Sequence, residues 1–119
     1  MKNTLLIGAS EKPERYAYKA IHALVKNGHP VKALGIKPGN VAGVEFDTKK
    51  IIYPEIDTVT LYVGSSNQKD YYQYIQELRP KRVVFNPGTE NPELEEILSK
   101  QGIKVERACT LVLLATAQY

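Results

Sequence analysis

Short apolar runs alternate along this chain with segments whose apolar residues recur at helical spacing. The runs Thr4–Ile7, Val31–Ile36, Thr58–Val63 and Arg82–Phe85 are rich in apolar and β-branched residues. Runs of this length that are apolar almost throughout are typical of strands buried on both faces of a sheet. Because a helical segment separates most of these runs, the pattern predicts βαβ units and a parallel sheet.

Three segments show the helical spacing. Their apolar positions are Ala17, Ala20, Ile21, Leu24 and Val25 in the first, Tyr71, Tyr74, Ile75 and Leu78 in the second, and Leu94, Ile97 and Leu98 in the third. Gly28 and Gly102 close the first and third helices, since glycine tolerates left-handed geometry, and Pro80 ends the second.

The remaining segments complete the predicted fold. Ile103–Val105 is a last short strand, Thr110–Tyr119 packs down as a helix, and the less regular region Asn40–Pro54 contains a short strand or turn. Right-handed crossovers place helices on both faces of a parallel sheet. The sequence therefore predicts an α/β protein, a three-layer Rossmann-like parallel sheet with helices on both faces, in a single domain over residues 1–119.

Composition excludes several classes of function. The net charge of +3 suits an anionic small molecule, but it is too small and too scattered to indicate a nucleic-acid partner. The single cysteine, Cys109, excludes an internal disulfide, and nothing pairs with it as a metal site. The first residues form neither a signal peptide nor a membrane span. We therefore expect a soluble, cytoplasmic protein with no metal site and no membrane partner.

Small and polar residues follow four of the predicted strands. These loops are Gly8-Ala9-Ser10, Gly35-Ile36-Lys37, Gly64-Ser65-Ser66 and Asn86-Pro87-Gly88. Ligands of open parallel sheets bind beyond the carboxyl ends of the strands. Such loops need small residues in any α/β protein, but the four together favour a binding site. The first one precedes a helix, whose N-terminus attracts anions, so it predicts a phosphate cradle.

The loops also narrow the choice of nucleotide. A G-x-G-x-x-G fingerprint and an acidic residue after the second strand mark a dinucleotide site, and this chain has neither. Lys37 stands after the second strand and would attract a phosphate on the ribose. Arg15 and Lys12 flank the first turn, although Lys12 is equally well explained as a solvated surface charge. These residues disfavour NAD and leave coenzyme A or NADP as the ligand.

The order and spacing of these residues resemble a known family over nearly the whole chain. The matching residues are Gly8-Ala9-Ser10, Pro13, Arg15-Tyr16, Gly28, Lys37, Gly43, Tyr53-Pro54, Asp57 and Cys109. They are similar to those of the small stand-alone coenzyme A-binding proteins, whose domain looks like the N-terminal domain of the succinyl-CoA synthetase alpha subunit. The resemblance implies that the chain binds coenzyme A or an acyl-CoA.

The resemblance also implies a role for each site residue. Gly8, Ala9 and Ser10 would contact the pyrophosphate, with Arg15 and Tyr16 at the phosphate end. Lys37 would meet the 3′-phosphate of the adenosine, and Val63 would flank the adenine or the pantetheine arm. The residues beside that arm would be Pro87, Gly88 and Glu90.

Two loops depart from the family's pattern. Gly35-Ile36 stands where the family usually has an Asn-Pro pair before the lysine. Asn86-Pro87-Gly88 stands where the loop after the fourth strand commonly has a glutamine. We therefore expect the adenosine pocket and the loop beside the pantetheine arm to differ in detail from those of the family.

No catalytic constellation is visible in the sequence. His22 and His29 lie in and just after the first helix, away from the predicted site, and Glu90 has no partner for acid–base work. The serines lack a positioned base. Cys109 follows the last strand and could form a mixed disulfide with the coenzyme thiol, although a lone cysteine is more often a small buried residue.

Three interpretations therefore stay open. The first is a binding module without catalysis of its own. The second is an NADP- or coenzyme A-using enzyme component completed by a partner chain, and the third is a regulatory protein with a decayed nucleotide site. On the second helix, Tyr72 is predicted to be exposed, which is consistent with a contact to a second copy or to a partner protein.

Overall fold

The computed structural model describes residues 1–119 and contains seven strands and four α-helices. The strands are β1 Thr4–Ala9, β2 Val31–Gly35, β3 Gly39–Val41, β4 Val44–Asp47, β5 Thr58–Leu61, β6 Arg82–Phe85 and β7 Lys104–Arg107. The helices are α1 Tyr16–Lys26, α2 Tyr72–Leu78, α3 Pro92–Lys100 and α4 Thr110–Ala115. Two 3-10 turns, Ser65–Asn67 and Lys69–Tyr71, precede α2.

All seven strands belong to one sheet, in the order β3-β4-β2-β1-β5-β6-β7. Every neighbouring pair is parallel except β3 and β4. From β1 the chain moves to β2, continues to β3 at the edge of the sheet and back to β4 beside β2, and then returns to β5 on the other side of β1. The strand order therefore reverses between β1 and β5, and the predicted α/β Rossmann-like fold is confirmed.

A separate apolar core covers each face of the sheet. Alternate residues of β1 point to opposite faces, so Leu5 and Ile7 pack with α2 and α3, whereas Leu6 packs with α1 and α4. All three residues are fully buried. This two-sided burial explains why β1 is apolar throughout and not alternating.

The region Asn40–Pro54 is more ordered than the predicted short strand or turn. It contributes a complete antiparallel hairpin, β3 and β4, which extends the sheet beyond β2. Ala42 and Gly43 form the two-residue connection with φ angles of 53° and 82°. Two successive positive φ values match the twist of a hairpin, but alanine rarely adopts them. The hairpin was missed because Ala-Gly is a weak turn sequence.

The predicted ends of the first three helices agree with the structure, whereas α4 ends at Ala115, before the predicted end at Tyr119. Gly28 and Gly102 follow α1 and α3 with φ angles of 81° and 78°. The prediction that Tyr72 is exposed was wrong, because its side chain is half-buried. Its hydroxyl donates to Glu93 Oε1 at 2.9 Å and accepts from Asn91 Nδ2 at 2.8 Å. Tyr72 therefore joins α2 to the start of α3.

Candidate functional site

The carboxyl ends of β1 and β5 flank the point where the strand order reverses, and Gly8 lies there. Gly8 has a φ angle of 102° and interrupts the register between β1 and β2. A Cβ at this position would lie 2.8 Å from the carbonyl carbon and oxygen of Tyr62, which follows β5. The sequence predicted that Gly8 would let the backbone approach a ligand. In the structure its missing side chain lets the two neighbouring strand ends approach each other.

The N-terminus of α1 is free to receive an anion. Arg15 occupies the N-cap position with extended backbone, no side chain caps the helix, and its first turn contains no acidic residue. The start of α3 differs, because Asn91 Oδ1 accepts a hydrogen bond from the Leu94 N–H and two glutamates lie in the first turn. The unsatisfied N–H groups and partial positive charge of α1 therefore remain available to a ligand.

Three cations predicted for the site are exposed and unpaired. The side chains of Lys12, Arg15 and Lys37 form none of the ion pairs in the structure. Lys12 and Arg15 lie in the loop before α1, and Lys37 lies in the loop after β2. An anion at this edge of the sheet would meet cationic side chains that form no ion pair with a carboxylate of the protein.

The loop between β1 and α1 is organised by hydrogen bonds of its own. Ser10 Oγ accepts from the Lys12 N–H at 3.1 Å, and the Lys12 carbonyl accepts from the Arg15 N–H at 3.0 Å. The Ser10 hydroxyl proton is not used by these bonds and can still be donated. Tyr16, at the start of α1, keeps 66% of its surface exposed. Ala9, in contrast, is buried.

Buried amides join the loops that follow β5 and β6. Gln68 is fully buried, and its Nε2 donates to the carbonyls of Val63 at 2.8 Å and Thr89 at 2.7 Å. The Nδ2 of Asn91 donates to Gln68 Oε1 at 2.9 Å. Val63 is half-buried, and the hydrogen bond from Gln68 fixes the position of its carbonyl group. Sequence reasoning missed Gln68 and Asn91, because nothing in their local pattern indicates burial.

Asn86, by contrast, belongs to the scaffold beneath the site. It is 1% exposed, and its Nδ2 donates to Thr60 Oγ1 and to the Leu61 carbonyl. Its Oδ1 accepts from the Thr110 N–H at 2.8 Å. The side chain therefore connects the ends of β5 and β6 to the start of α4, whatever ligand the loop contacts.

The surface of the same loop carries Pro87, Gly88 and Glu90, which are all exposed. The Glu90 carboxylate turns back onto its own loop and accepts from the Gly88 N–H at 2.9 Å. This hydrogen bond fixes the turn and occupies one carboxylate oxygen. A ligand lying on the loop would therefore meet the backbone, the proline ring and the second oxygen.

Tyr62 follows β5 and Cys109 follows β7 at this edge of the sheet. The Tyr62 hydroxyl is buried and has no hydrogen-bond partner, and burial raises the pKa of Tyr62 well above its usual value. The charge of an ionised Cys109 adds to that rise. Cys109 itself is a half-buried free thiol that immediately precedes α4. The sequence predicted that Cys109 could approach the cleft, and the structure places it at the carboxyl edge.

The remaining titratable candidates lie away from the site. His29 follows α1 at the opposite edge of the sheet, and its Nδ1 accepts from the Lys2 N–H at 3.0 Å. Asp57 precedes β5 at that same edge and accepts from the Thr58 hydroxyl at 2.7 Å. No group of three or more His, Cys, Asp or Glu side chains is arranged to hold a metal ion. None of the helices has the length and apolar character needed to cross a membrane.

Glu11 is a further residue of this edge that sequence reasoning did not identify. Its Oε2 accepts from the Asn40 N–H at 2.9 Å, although the two residues are 29 positions apart. A surface depression of about 620 Å³ adjoins this contact, and Phe46 and Tyr53 are among its lining residues. No local pattern could have revealed the contact, because it depends on where the β3–β4 hairpin folds.

Comparisons with known proteins agree with this geometry. The chain is similar to an uncharacterized protein of known crystal structure, with 47% identity over 100% of this chain and 98% of that one and a TM-score of 0.97. It is also similar to a hypothetical protein from Pyrococcus horikoshii OT3, with 28% identity, 93% and 80% coverage and a TM-score of 0.83.

A third structure, cell-free ID.343 from Thermus thermophilus, is 23% identical over 99% of this chain and 91% of that one. Its TM-score of 0.85 shows a shared fold. No curated protein matches the sequence. The family model for the CoA binding domain matches residues 2–115 of the 119. The chain therefore belongs to the CoA-binding domain family.

Proposed function

We propose that this protein binds coenzyme A or an acyl-CoA at the carboxyl edge of the sheet and catalyses no reaction of its own. The observation that carries the proposal is the free N-terminus of α1, which has no cap and no carboxylate in its first turn. Lys12 and Arg15 precede this helix, Lys37 follows the adjacent strand β2, and none of the three forms an ion pair. Coenzyme A is a multiply charged anion that such a surface would attract.

The pyrophosphate is assigned to the loop between β1 and α1. Backbone N–H groups at the start of α1 would donate to its oxygens, as they do at other helix N-termini that bind phosphate. Arg15 can add a bidentate contact, because its guanidinium presents parallel donors. The Ser10 hydroxyl accepts from the Lys12 N–H and would donate its own proton to the ligand. Gly8, near the end of β1, lets the strand that leads into this loop lie close to the Tyr62 backbone.

The 3′-phosphate of the adenosine is assigned to Lys37. This lysine follows β2 on an exposed loop and has no carboxylate partner. An unpaired ammonium at this point would favour a ligand with a phosphate on the ribose over NAD. NADP carries its phosphate on the neighbouring 2′ position, so the two ligands can be separated by direct comparison.

The pantetheine arm is assigned to the surface of the loops after β5 and β6. Pro87 and Gly88 are exposed there, and Val63 is half-buried beside them in the fold. The arm combines amides with short apolar segments, and these loops offer backbone groups next to apolar side chains. In this orientation the thiol or thioester lies at one end of the site and the phosphates lie at the other.

The absence of catalysis is part of the proposal. The Glu90 carboxylate accepts from the Gly88 N–H and has no histidine or second carboxylate as a hydrogen-bond partner. His29 lies at the far edge of the sheet, where its Nδ1 accepts from the Lys2 N–H. A general base must lie within hydrogen-bond reach of the proton that it removes, so neither group supports acid–base chemistry at the site.

Calorimetric titration with coenzyme A, NADP, NAD and ATP tests the proposal. We expect a dissociation constant for coenzyme A in the micromolar range and weaker binding of the other nucleotides. Lys37→Glu should weaken coenzyme A binding by about tenfold or more, because a charge-assisted contact becomes a repulsion. The matched control Lys104→Glu reverses an exposed lysine at the opposite edge, and it should leave the affinity unchanged.

Each alternative has its own outcome in this experiment. Tighter binding of NADP than of coenzyme A would overturn the proposal and indicate an NADP-using enzyme component completed by a partner chain. No binding of any of the four nucleotides would also overturn it and indicate a regulatory protein with a decayed site. Equal losses for Lys37→Glu and Lys104→Glu would refute the assignment of the 3′-phosphate to Lys37.

A further inference from the structure

We infer that Glu11 is a positioning residue, which fixes the loop that carries Lys37 and so determines how strongly the site prefers a ligand with a 3′-phosphate. The inference rests on the proposed function, since it concerns the same site. Glu11 belongs to the loop between β1 and α1, whereas Lys37 belongs to the loop between β2 and β3. The two loops carry the groups assigned to different phosphates of one ligand.

Glu11 is bound to the far end of the Lys37 loop. Its Oε2 accepts from the backbone N–H of Asn40 at 2.9 Å. A Cβ at Gly39 would lie 2.8 Å from Glu11 Cγ, so the stem of the side chain lies directly on the Gly39 backbone. The same Cβ would lie 2.5 Å from Phe46 Cζ, so the Phe46 ring as well as Glu11 requires glycine at this position. The carboxylate and the stem together hold the start of β3 against the loop that precedes α1.

The near end of the Lys37 loop lies against the end of β1. A Cβ at Gly35 would lie 2.9 Å from the carbonyl oxygen of Ala9, so the end of β2 lies closely against the end of β1. Lys37 stands midway between these two glycines. One end of its loop therefore contacts β1 and the other contacts the loop between β1 and α1, and this arrangement sets the position of Lys37 relative to the N-terminus of α1.

Fixing this loop before the ligand arrives reduces the conformational entropy lost on binding. The effect falls on the 3′-phosphate alone, because the β1–α1 loop has hydrogen bonds of its own at Ser10 and Lys12. Simple electrostatics predicts the opposite sign for Glu11, since removing a carboxylate near an anionic ligand should strengthen binding. The two explanations therefore predict changes of opposite direction.

The test measures the affinities of coenzyme A and 3′-dephospho-coenzyme A by calorimetry and takes their ratio. In the wild-type protein coenzyme A should bind more tightly. Lys37→Ala should lower the ratio about tenfold, as expected for loss of one charge-assisted contact. Glu11→Ala should lower it about threefold through loop flexibility, within the range of ordering costs at binding sites. The affinity for 3′-dephospho-coenzyme A should stay nearly constant.

Conservative variants separate the effect of the length of the Glu11 side chain from the effect of its charge. Glu11→Gln keeps the length and an oxygen acceptor for the Asn40 N–H but loses the charge, and it should retain the wild-type ratio. Glu11→Asp keeps the charge but is one methylene shorter, and it should lower the ratio as Glu11→Ala does. Glu14→Ala is the matched control, because Glu14 is an exposed carboxylate of the same loop with no hydrogen bond or ion pair from its side chain.

Hydrogen exchange of the Asn40 backbone amide measures its hydrogen bond to Glu11 directly. The amide should be protected in the wild-type protein and in Glu11→Gln, and it should lose this protection in Glu11→Ala. A ratio that is unchanged or raised in Glu11→Ala, while Lys37→Ala lowers it, would overturn the inference and leave the proposed function standing. If Lys37→Ala also leaves the ratio unchanged, the proposed 3′-phosphate site is wrong and the inference falls with it. A lowered affinity ratio in Glu11→Gln would show that the preference depends on the charge of Glu11 and not on the length of its side chain, and it would equally refute the inference.

Discussion

Replacing Asn86 by alanine should destabilise the protein severely, although the residue stands in a loop at the carboxyl edge of the sheet. The side chain is 1% exposed and makes three hydrogen bonds. Two are donated, to Thr60 Oγ1 at 2.7 Å and to the Leu61 carbonyl at 2.9 Å. The third is accepted from the Thr110 N–H at 2.8 Å. Alanine removes all three and leaves buried polar groups behind.

The magnitude follows from what remains in the variant. Thr60 Oγ1 keeps a partner, because it also bonds Thr110 Oγ1 at 2.8 Å. The Thr110 N–H loses its acceptor, and a buried unsatisfied group costs about 1–3 kcal/mol. Adding the lost bonds and the vacated volume, Asn86→Ala should lower the free energy of unfolding by about 3–5 kcal/mol. Domains of this size have only about 5–15 kcal/mol in total.

Urea denaturation at neutral pH measures this difference, with Asn67→Ala as the control. Asn67 is exposed and its side chain makes no hydrogen bond, so its loss should change the free energy of unfolding by less than about 0.5 kcal/mol. Asn86→Asp preserves volume but places an oxygen against the Leu61 carbonyl, and it should be destabilised as well. A loss below about 1 kcal/mol for Asn86→Ala, or wild-type stability for Asn86→Asp, would refute this reasoning.

Two further predictions concern other parts of the fold. Gly8→Ala should lower the free energy of unfolding by more than about 1 kcal/mol, because the φ angle is 102° and the new Cβ would lie 2.8 Å from the Tyr62 backbone. In the control Gly64→Ala nothing lies within 4 Å of the new Cβ, and an equal decrease in the free energy of unfolding there would contradict the prediction. Burial and neighbouring positive charges lower the pKa of His29 below 6.5, and the neutral form accepts a hydrogen bond from the Lys2 N–H. The neutral form therefore stabilises the fold fully above pH 6.5, and this contribution is lost as the pH falls below 6.5. Urea unfolding between pH 8 and pH 5 should show a steeper loss for the wild type than for His29→Gln, and identical slopes would disprove the role of His29.

The elements of the fold were predictable wherever the signal is local. The apolar run Thr4–Ile7 has no polar alternation because both of its faces are covered, and that property is visible without knowing what covers them. Gly28 and Gly102 mark the ends of α1 and α3 for an equally local reason, since each adopts a positive φ angle. The hairpin formed by β3 and β4 could not be predicted, because Ala42 has a backbone conformation that alanine seldom adopts.

The candidate site was predictable to a smaller extent. The cations Lys12, Arg15 and Lys37 could be assigned to one edge of the sheet from the order of the elements alone, because the carboxyl ends of parallel strands meet there. Their freedom from ion pairs could not be predicted. Gly8 could be recognised as a special position, yet the group that its missing side chain accommodates is the Tyr62 backbone.

By itself, the sequence determined the α/β class, the ends of α1, α2 and α3 and the position of Lys12, Arg15 and Lys37 at the carboxyl edge of the sheet, because strand burial, helical spacing and glycine conformation are properties of consecutive residues. Only the tertiary structure decided which polar groups hold that edge together. The contacts from Glu11 to Asn40, and from Gln68 to Asn91, join residues 29 and 23 positions apart. Such pairs arise from the order of strands in the sheet, and a buried amide has the same local sequence as an exposed one.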